Sequence, residues 1–220
     1  GHFKALQKLL GAEADVNSEE MDVSPISAAV KASDAMMVQA LIKGKASLEA
    51  TRGGDSPVLN AVQLGHLQIL KMLVATRTGA NKTGEGGAAP IHEALCKGDP
   101  VFVCHVIAGK ADVNVVARNG FTPVLTACLH GHVFSLKVLT RAHADVWHAN
   151  GFSTCALVSH SGHLQLLHEL LRASADIDKP SARRTSPASF AAQERHVAAF
   201  MMLVQSHANL DTVDGQGFSA

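Results

Sequence analysis

The sequence predicts an all-α solenoid of stacked helix-turn-helix units joined by β-hairpin-like fingers. Two recurring phrases and the composition carry that prediction. The first phrase is SPISAAVKASD at Ser24, SPVLNAVQLGH at Ser56, APIHEALCKGD at Ala89, TPVLTACLHGH at Thr122, STCALVSHSGH at Ser153 and SPASFAAQERH at Ser186, with successive spacings of 32, 33, 33, 31 and 33 residues. The second tracks it: EADVN at 13, KASLE at 45, GANKT at 79, KADVN at 110, HADVW at 143, SADID at 174 and HANLD at 207. A fixed period of about 20 to 50 residues decides architecture before any local signal does. The 220 residues are 47% hydrophobic, enough to bury a large core and too apolar for disorder.

Each unit can be justified element by element. Ser, Thr or Ala followed by Pro is an N-cap with Pro in the first helical turn, where its missing N–H costs nothing. A short first helix starts there, and its small apolar pairs (Ala28 and Ala29, Ala61 and Val62, Ala94 and Leu95, Ala127 and Cys128) suit close packing of a neighbour. A turn at Gly65-His66, Gly98-Asp99, Gly131-His132 and Gly162-His163 opens a second helix. That helix is amphipathic, as Leu67, Ile69, Leu70 and Leu73 show in one copy and Leu164, Leu166, Leu167, Leu170 and Leu171 in another. Polar, Gly-bearing stretches such as RGGD and ARNG bridge to the next unit. No unit can bury both faces of its helices alone, so stacking must supply the core.

These phrases resemble the ankyrin repeat, whose signature is T-P-L-H-x-A at a period of about 33 residues. NGFTPVLTACLHGHVFSLKVLTRAHADV, residues 119–146, is the best copy; His92 alone fills the signature His position, and Thr154 stands where Pro is usual. The resemblance implies a partial repeat at 1–17, complete repeats at 18–50, 51–83, 84–116, 117–147, 148–180 and 181–212, and a partial repeat at 213–220. Neither end looks like a polar capping repeat, which favours a slice of a longer array. The family usually places Gly just before the ADVN phrase, in a left-handed turn after the second helix. By phrase alignment only Gly79 keeps it, and Glu13, Lys45, Lys110, His143, Ser174 and His207 replace it. Each replacement costs about 1 kcal/mol, partly offset by Lys or charged His at a helix C-terminus, so the array is expected to be marginal, with fraying ends.

Composition excludes several functions. Nineteen basic residues balance nineteen acidic ones, leaving no electrostatic footprint for nucleic acid or an anionic membrane. The four cysteines form no CxxC pair and suit a reducing compartment, and no apolar run reaches the length of a membrane span. The expectation is an intracellular, cytoplasmic chain, the nucleus not excluded, monomeric and without cofactor. Cys128, His130, His132 and His143 crowd one window, yet Cys128 and His130 point about 200° apart around a helix and cannot easily share a metal. Repeat alignment disperses the histidines: His2, His66, His132, His163 and His196 hold the turn, His143 and His207 the missing glycine. No GxSxG, HExxH or GxxxxGKS motif is present, and the glycines of TRGGDSP and GEGGAAP read as hairpin turns, so no enzyme is expected in this segment.

Binding remains. The resemblance implies a concave face lined by finger tips and the exposed ends of first helices, and it carries the partner site to Arg52, Asp55, Gln63, Leu64, Cys96, Lys97, Arg118, Asn119, Phe121, Leu129, His130, Phe152, His160, Arg183, Arg184 and Gln193. Phe121, Leu129 and Phe152 would form an apolar centre beside His130 and His160, with Arg52 and Asp55 on one side and Arg183 and Arg184 on the other. That is the pattern of an interface hot spot, although aromatic finger residues also serve to brace neighbouring fingers. The two histidines would make binding pH-dependent between about 5 and 7. The expected function is a protein-protein interaction scaffold. The alternative is a recruiting or regulatory segment of a larger enzyme, channel or ubiquitin-ligase component. RRTS, residues 183–186, looks like a basophilic kinase site, but Ser186 is read as the cap of a packed helix. Asn17 and Asn114 match a family position sometimes hydroxylated.

Overall fold

The computed structural model describes residues 24–49, 55–84, 86–146 and 153–212, together with Lys8, Asp15, Asn17 and Gly215. Twelve helices are bounded among the described residues. They are α1 (Pro25–Lys31), α2 (Ala35–Lys43), α3 (Pro57–Gln63), α4 (Leu67–Val74), α5 (Pro90–Lys97), α6 (Pro100–Ala108), α7 (Pro123–Leu129), α8 (Val133–Arg141), α9 (Thr154–His160), α10 (Leu164–Arg172), α11 (Pro187–Gln193) and α12 (Val197–Gln205). The chain divides into two compact units, residues 1–112 and 113–220. In the first, α1, α3 and α5 pack side by side in one layer and α2, α4 and α6 in a second. In the second, α7, α9 and α11 form one layer and α8, α10 and α12 the other.

The caps explain why the first helices begin where they do. Ser56, Thr122, Ser153 and Ser186 hydroxyls accept from the amide three residues on at 3.1 to 3.2 Å, and Ser24 does so at 3.3 Å. Ala89, lacking a hydroxyl, leaves α5 without a side-chain cap. Thr154 replaces Pro without shifting the start of α9, and its hydroxyl donates to the Val146 carbonyl at 3.1 Å. The packed pairs are Ala61 and Val62, Ala94 and Leu95, and Ala127 and Cys128, all buried. The first copy differs from the sequence reading: Ala28 is exposed and Ala29 with Val30 packs, because the equivalent register lies five and six residues after the cap.

The second helices bury one stripe, such as Ile69, Leu70 and Leu73 or Leu166, Leu167 and Leu170. Leu164, which the periodicity assigns to that stripe, stands 36% exposed in the first turn of α10. Each second helix ends in the left-handed turn expected at the missing glycine: φ is +60° at Lys45, +69° at Lys110, +59° at His143 and Ser174, and +65° at His207. The Lys45 and Ala46 amides donate back to Ile42 and Leu41, the two-bond closure of a Schellman motif, and the other four copies repeat it. Glu13 lies outside the described residues. Residues 67–80 depart from the phrase alignment. There the left-handed residue in register is Arg77, at +59°, and Gly79 is a second one, at +74°, two residues later. A Cβ on Gly79 would stand 2.7 Å from the Leu48 carbonyl oxygen, so close approach of the neighbouring repeat requires glycine there.

The fingers are tight loops with one bonding pattern: Gly84 to Ala88, Ala117 to Phe121 and Ser181 to Thr185 each close by two backbone bonds of 2.8 to 3.2 Å. GEGGAAP is therefore a turn, as its sequence suggests, while residues 51–54 of TRGGDSP lie outside the described residues. No strand occurs among the described residues. Side chains of the second phrase tie consecutive repeats. Asn17, Asn81, Asn114 and Asp178 each accept from a backbone amide about one repeat on, at 2.6 to 2.8 Å.

Candidate functional site

A cavity of about 350 Å³ opens in the second unit between α9, α11 and the finger that precedes α11. Ala156, Leu157 and Phe190 supply its apolar wall, and His160 and Arg183 stand at its edge. Leu157 and Phe190 both lie four residues after a cap, on the same side of successive first helices. His160 is fixed from three directions. Its Nδ1 lies 3.4 Å from Glu194 Oε1, and its ring meets the Phe190 ring edge-on at 5.2 Å. Its backbone carbonyl accepts from His196 Nε2 at 3.1 Å, so the next repeat anchors the end of α9. The Arg183 and Arg184 side chains are exposed and make no ion pair among the described residues. The arrangement offers an apolar slot with a cationic edge, suited to a large side chain whose neighbours are acidic.

The crowded Cys/His window resolves as the repeats suggest. Cys128 is 1% exposed in α7, and burial, reinforced by Cys155, pushes its thiol far up. Cys155 is pushed to about 12, by burial first and then by Asp176. His130 ends α7 and turns back, its ring Nδ1–H donating to the Thr126 carbonyl at 2.9 Å and its ring stacked on His132 at 5.8 Å. His132 opens α8; burial, then the neighbouring His130, holds it below the usual imidazole value. Among the described residues no group of three His, Cys, Asp or Glu side chains is placed to hold a metal ion.

Helix pairs, turns and inter-repeat bonds of this kind are found in known proteins too. The family model described as ankyrin repeats, in three copies, matches residues 1–85. The fold is similar to the crystal structure of the ankyrin repeat domain of Bcl-3, titled a unique member of the IkappaB protein family. The TM-score is 0.81 at 18% identity, covering 91% of this chain and 93% of that one. Residues 1–85 match ankyrin repeats, and the fold is similar to that of an ankyrin repeat domain. No curated protein matches its sequence. The ankyrin repeats and the all-α solenoid class stand on both findings; at that identity the solved structure speaks for the fold alone. No helix among the described residues is long and apolar enough to cross a membrane.

The two units distribute the contact positions that the resemblance implies unevenly. In the first unit Gln63, Leu64, Cys96 and Lys97 lie at the open ends of α3 and α5, Leu64 being 48% exposed. Asp55 is half-buried against Gly84, and its backbone carbonyl accepts from Asn60 Nδ2 at 3.2 Å, which gives it a bracing place. In the second unit Arg118 and Asn119 form an exposed finger tip. Asn119 Oδ1 accepts from the Phe121 amide at 3.1 Å, and Phe121 is half-buried. Leu129 is 42% exposed and Gln193 exposed at the ends of their helices. Arg52 and Phe152 lie outside the described residues. Of the fourteen positions among the described residues, only His160 and Arg183 line the cavity; Phe121, Leu129 and His130 do not. Leu157 and Phe190 are not among the contact positions that repeat register implies. The available signal was a column change: the residue four after the cap runs Ala28, Asn60, Glu93, Thr126, then Leu157 and Phe190.

Proposed function

We propose that this chain is a non-catalytic protein-recognition module that holds its partner along the finger and first-helix surface of the second unit, centred on the α9–α11 cavity. Ankyrin repeats are generally protein-protein interaction modules, which supports the class of function. The observation that carries the centre is the slot beside His160 and Phe190, concave, apolar and edged by the exposed Arg183. A partner side chain seated there loses its water against Leu157 and Phe190, while the Arg183 guanidinium offers bidentate bonds to a neighbouring carboxylate. Glu194 Oε1 lies 3.4 Å from the His160 ring at the slot's edge. Neutral net charge gives nucleic acid and anionic membrane no general attraction, so protein is the partner class.

The test is affinity capture with mass spectrometry, run in parallel with Phe190→Ala, Phe121→Ala and wild-type chains that melt at the same temperature. Phe190→Ala should release the captured partner, a loss of about 2 kcal/mol in binding, and Phe121→Ala should weaken it less. Undiminished capture by Phe190→Ala would remove the cavity from the interface; loss only with Phe121→Ala would move the centre to the finger before α7.

A further inference from the structure

The second-helix layer of the second unit carries a feature unrelated to that cavity. In a globular solenoid the outward turns of this layer meet water, yet Phe134 is 71% exposed, Val197 70%, Met201 50% and Leu164 36%. Val133, Leu164 and Val197 are equivalent positions, the first residue of α8, α10 and α12, so their side chains make a row crossing three neighbouring helices. A groove of about 380 Å³ runs beside that row, floored by Val133, Phe134, Leu164 and Met202 and edged by Lys137 and His168. Contiguous exposed apolar surface with a polar rim marks an interaction site.

Charge and spacing indicate what fits. The helices α8, α10 and α12 carry Lys137, Arg141 and Arg172 as cations and one carboxylate, Glu169. Glu169 is buried and accepts from the Thr140 hydroxyl at 3.1 Å, so it does not offset the cations at the surface. Lys137 lies 5.7 Å from the centre of the Phe134 ring, its ammonium over the aromatic face at the rim. Packed helices stand about 8 to 10 Å apart, and seven residues of an α-helix rise about 10.5 Å. A helix laid across the layer therefore advances one repeat for every seven of its own residues.

We propose that the α8–α10–α12 face docks an amphipathic helix of another protein, with large apolar residues about every seven positions and acidic residues beside them. The apolar positions drop between successive rungs of the row, and the carboxylates meet Lys137 at the rim, with Arg141 and Arg172 at the far ends of α8 and α10 adding to the positive field.

The probe is a labelled synthetic helix of about 21 residues with leucines seven apart and glutamates flanking them. Its controls are the same peptide with lysine flanks and one with the leucine spacing shuffled, all read by fluorescence anisotropy. The Glu-flanked, seven-spaced peptide should bind best, and Phe134→Ser with Leu164→Gln should weaken it about tenfold or more without lowering the melting temperature. Should that pair destabilise the fold, Lys137→Glu serves instead, and should reverse the preference between Glu and Lys flanks. Equal binding of all three peptides, no binding of any, or unchanged binding by the variants would overturn the proposal. So would uptake of the chain by vesicles of anionic phospholipid without peptide binding, or association of the wild-type chain with itself that the double variant abolishes.

Discussion

The two units share a helix order and differ in what they leave outside. Among the described residues, the second-helix layer of 1–112 exposes two large apolar side chains, Met36 and Val101, whereas that of 113–220 exposes five: Phe134, Leu164, Val197, Met201 and Val204. Their turns differ too. Gly65, in the first unit, has nothing within 4 Å of where a Cβ would stand, while a Cβ on Gly162, in the second, would meet the His196 ring at 2.7 Å. The buried stripe is the same chemistry in both, since stacking dictates it. Surface rows and turn contacts are not dictated, so there the repeats acquire individual character.

The turn glycines should separate the two units most strongly. Gly162→Ala should cost about 2 to 3 kcal/mol, from left-handed strain plus displacement of the His196 ring and its bond to the His160 carbonyl. Gly65→Ala, strained alike at φ +76° but in open space, should cost only about 1 kcal/mol. Denaturant midpoints decide, and equal losses would show that the His196 ring yields freely. Next, Lys110→Gly in the first unit and His143→Gly in the second should each stabilise by up to about 1 kcal/mol, read as a rise in Tm, since both sit at positive φ after a helix. No rise would mean that charge at the helix end already offsets the strain.

A smaller contrast lies in the caps. Ala89→Ser should add about 0.5 to 1 kcal/mol by giving α5 the bond that Ser186 gives α11, and Ser186→Ala should lose a similar amount. The smallest effect is pH. Because His132 is held below its unfolded value, the folded state binds fewer protons and favours neutral pH; that contribution is lost as pH falls through about 6.5 and below. Tm should fall between pH 7 and pH 5, and His132→Gln should flatten the fall. An unchanged slope would assign the acid sensitivity elsewhere.

Most of the architecture is written locally. Ser-Pro at 56–57 or Thr-Pro at 122–123 starts a helix because cap and ring act within one turn, and spacing by helical period marks Leu70, Leu73, Leu166 and Leu167 as core. Even the left-handed turn at Lys45, Lys110, His143, Ser174 and His207 could be placed without glycine, because register propagates from repeat to repeat. Arg77 and Gly79 show the limit: phrase alignment favours the glycine, but the helix counts residues from its own cap at His66 and turns at Arg77. Leu164 shows another, since helical spacing cannot tell the edge of a buried stripe from a residue left in solvent.

The site was less legible. Exposed positions such as Leu64, Leu129 and Gln193 follow from repeat register, but the meeting of His160, Phe190, Glu194 and Arg183 depends on residues up to 34 apart in the chain. By itself the sequence determined the repeat, the caps, the core stripe and the dispersal of Cys128, His130, His132 and His143, since each rests on contacts within a turn or on periodicity. Tertiary structure alone decided that Phe190 walls a cavity, that His196 seals the Gly162 turn, and that Phe134, Leu164 and Val197 leave an apolar surface uncovered. Those outcomes depend on which side chains adjacent repeats bring face to face, and a one-dimensional period carries no term for that.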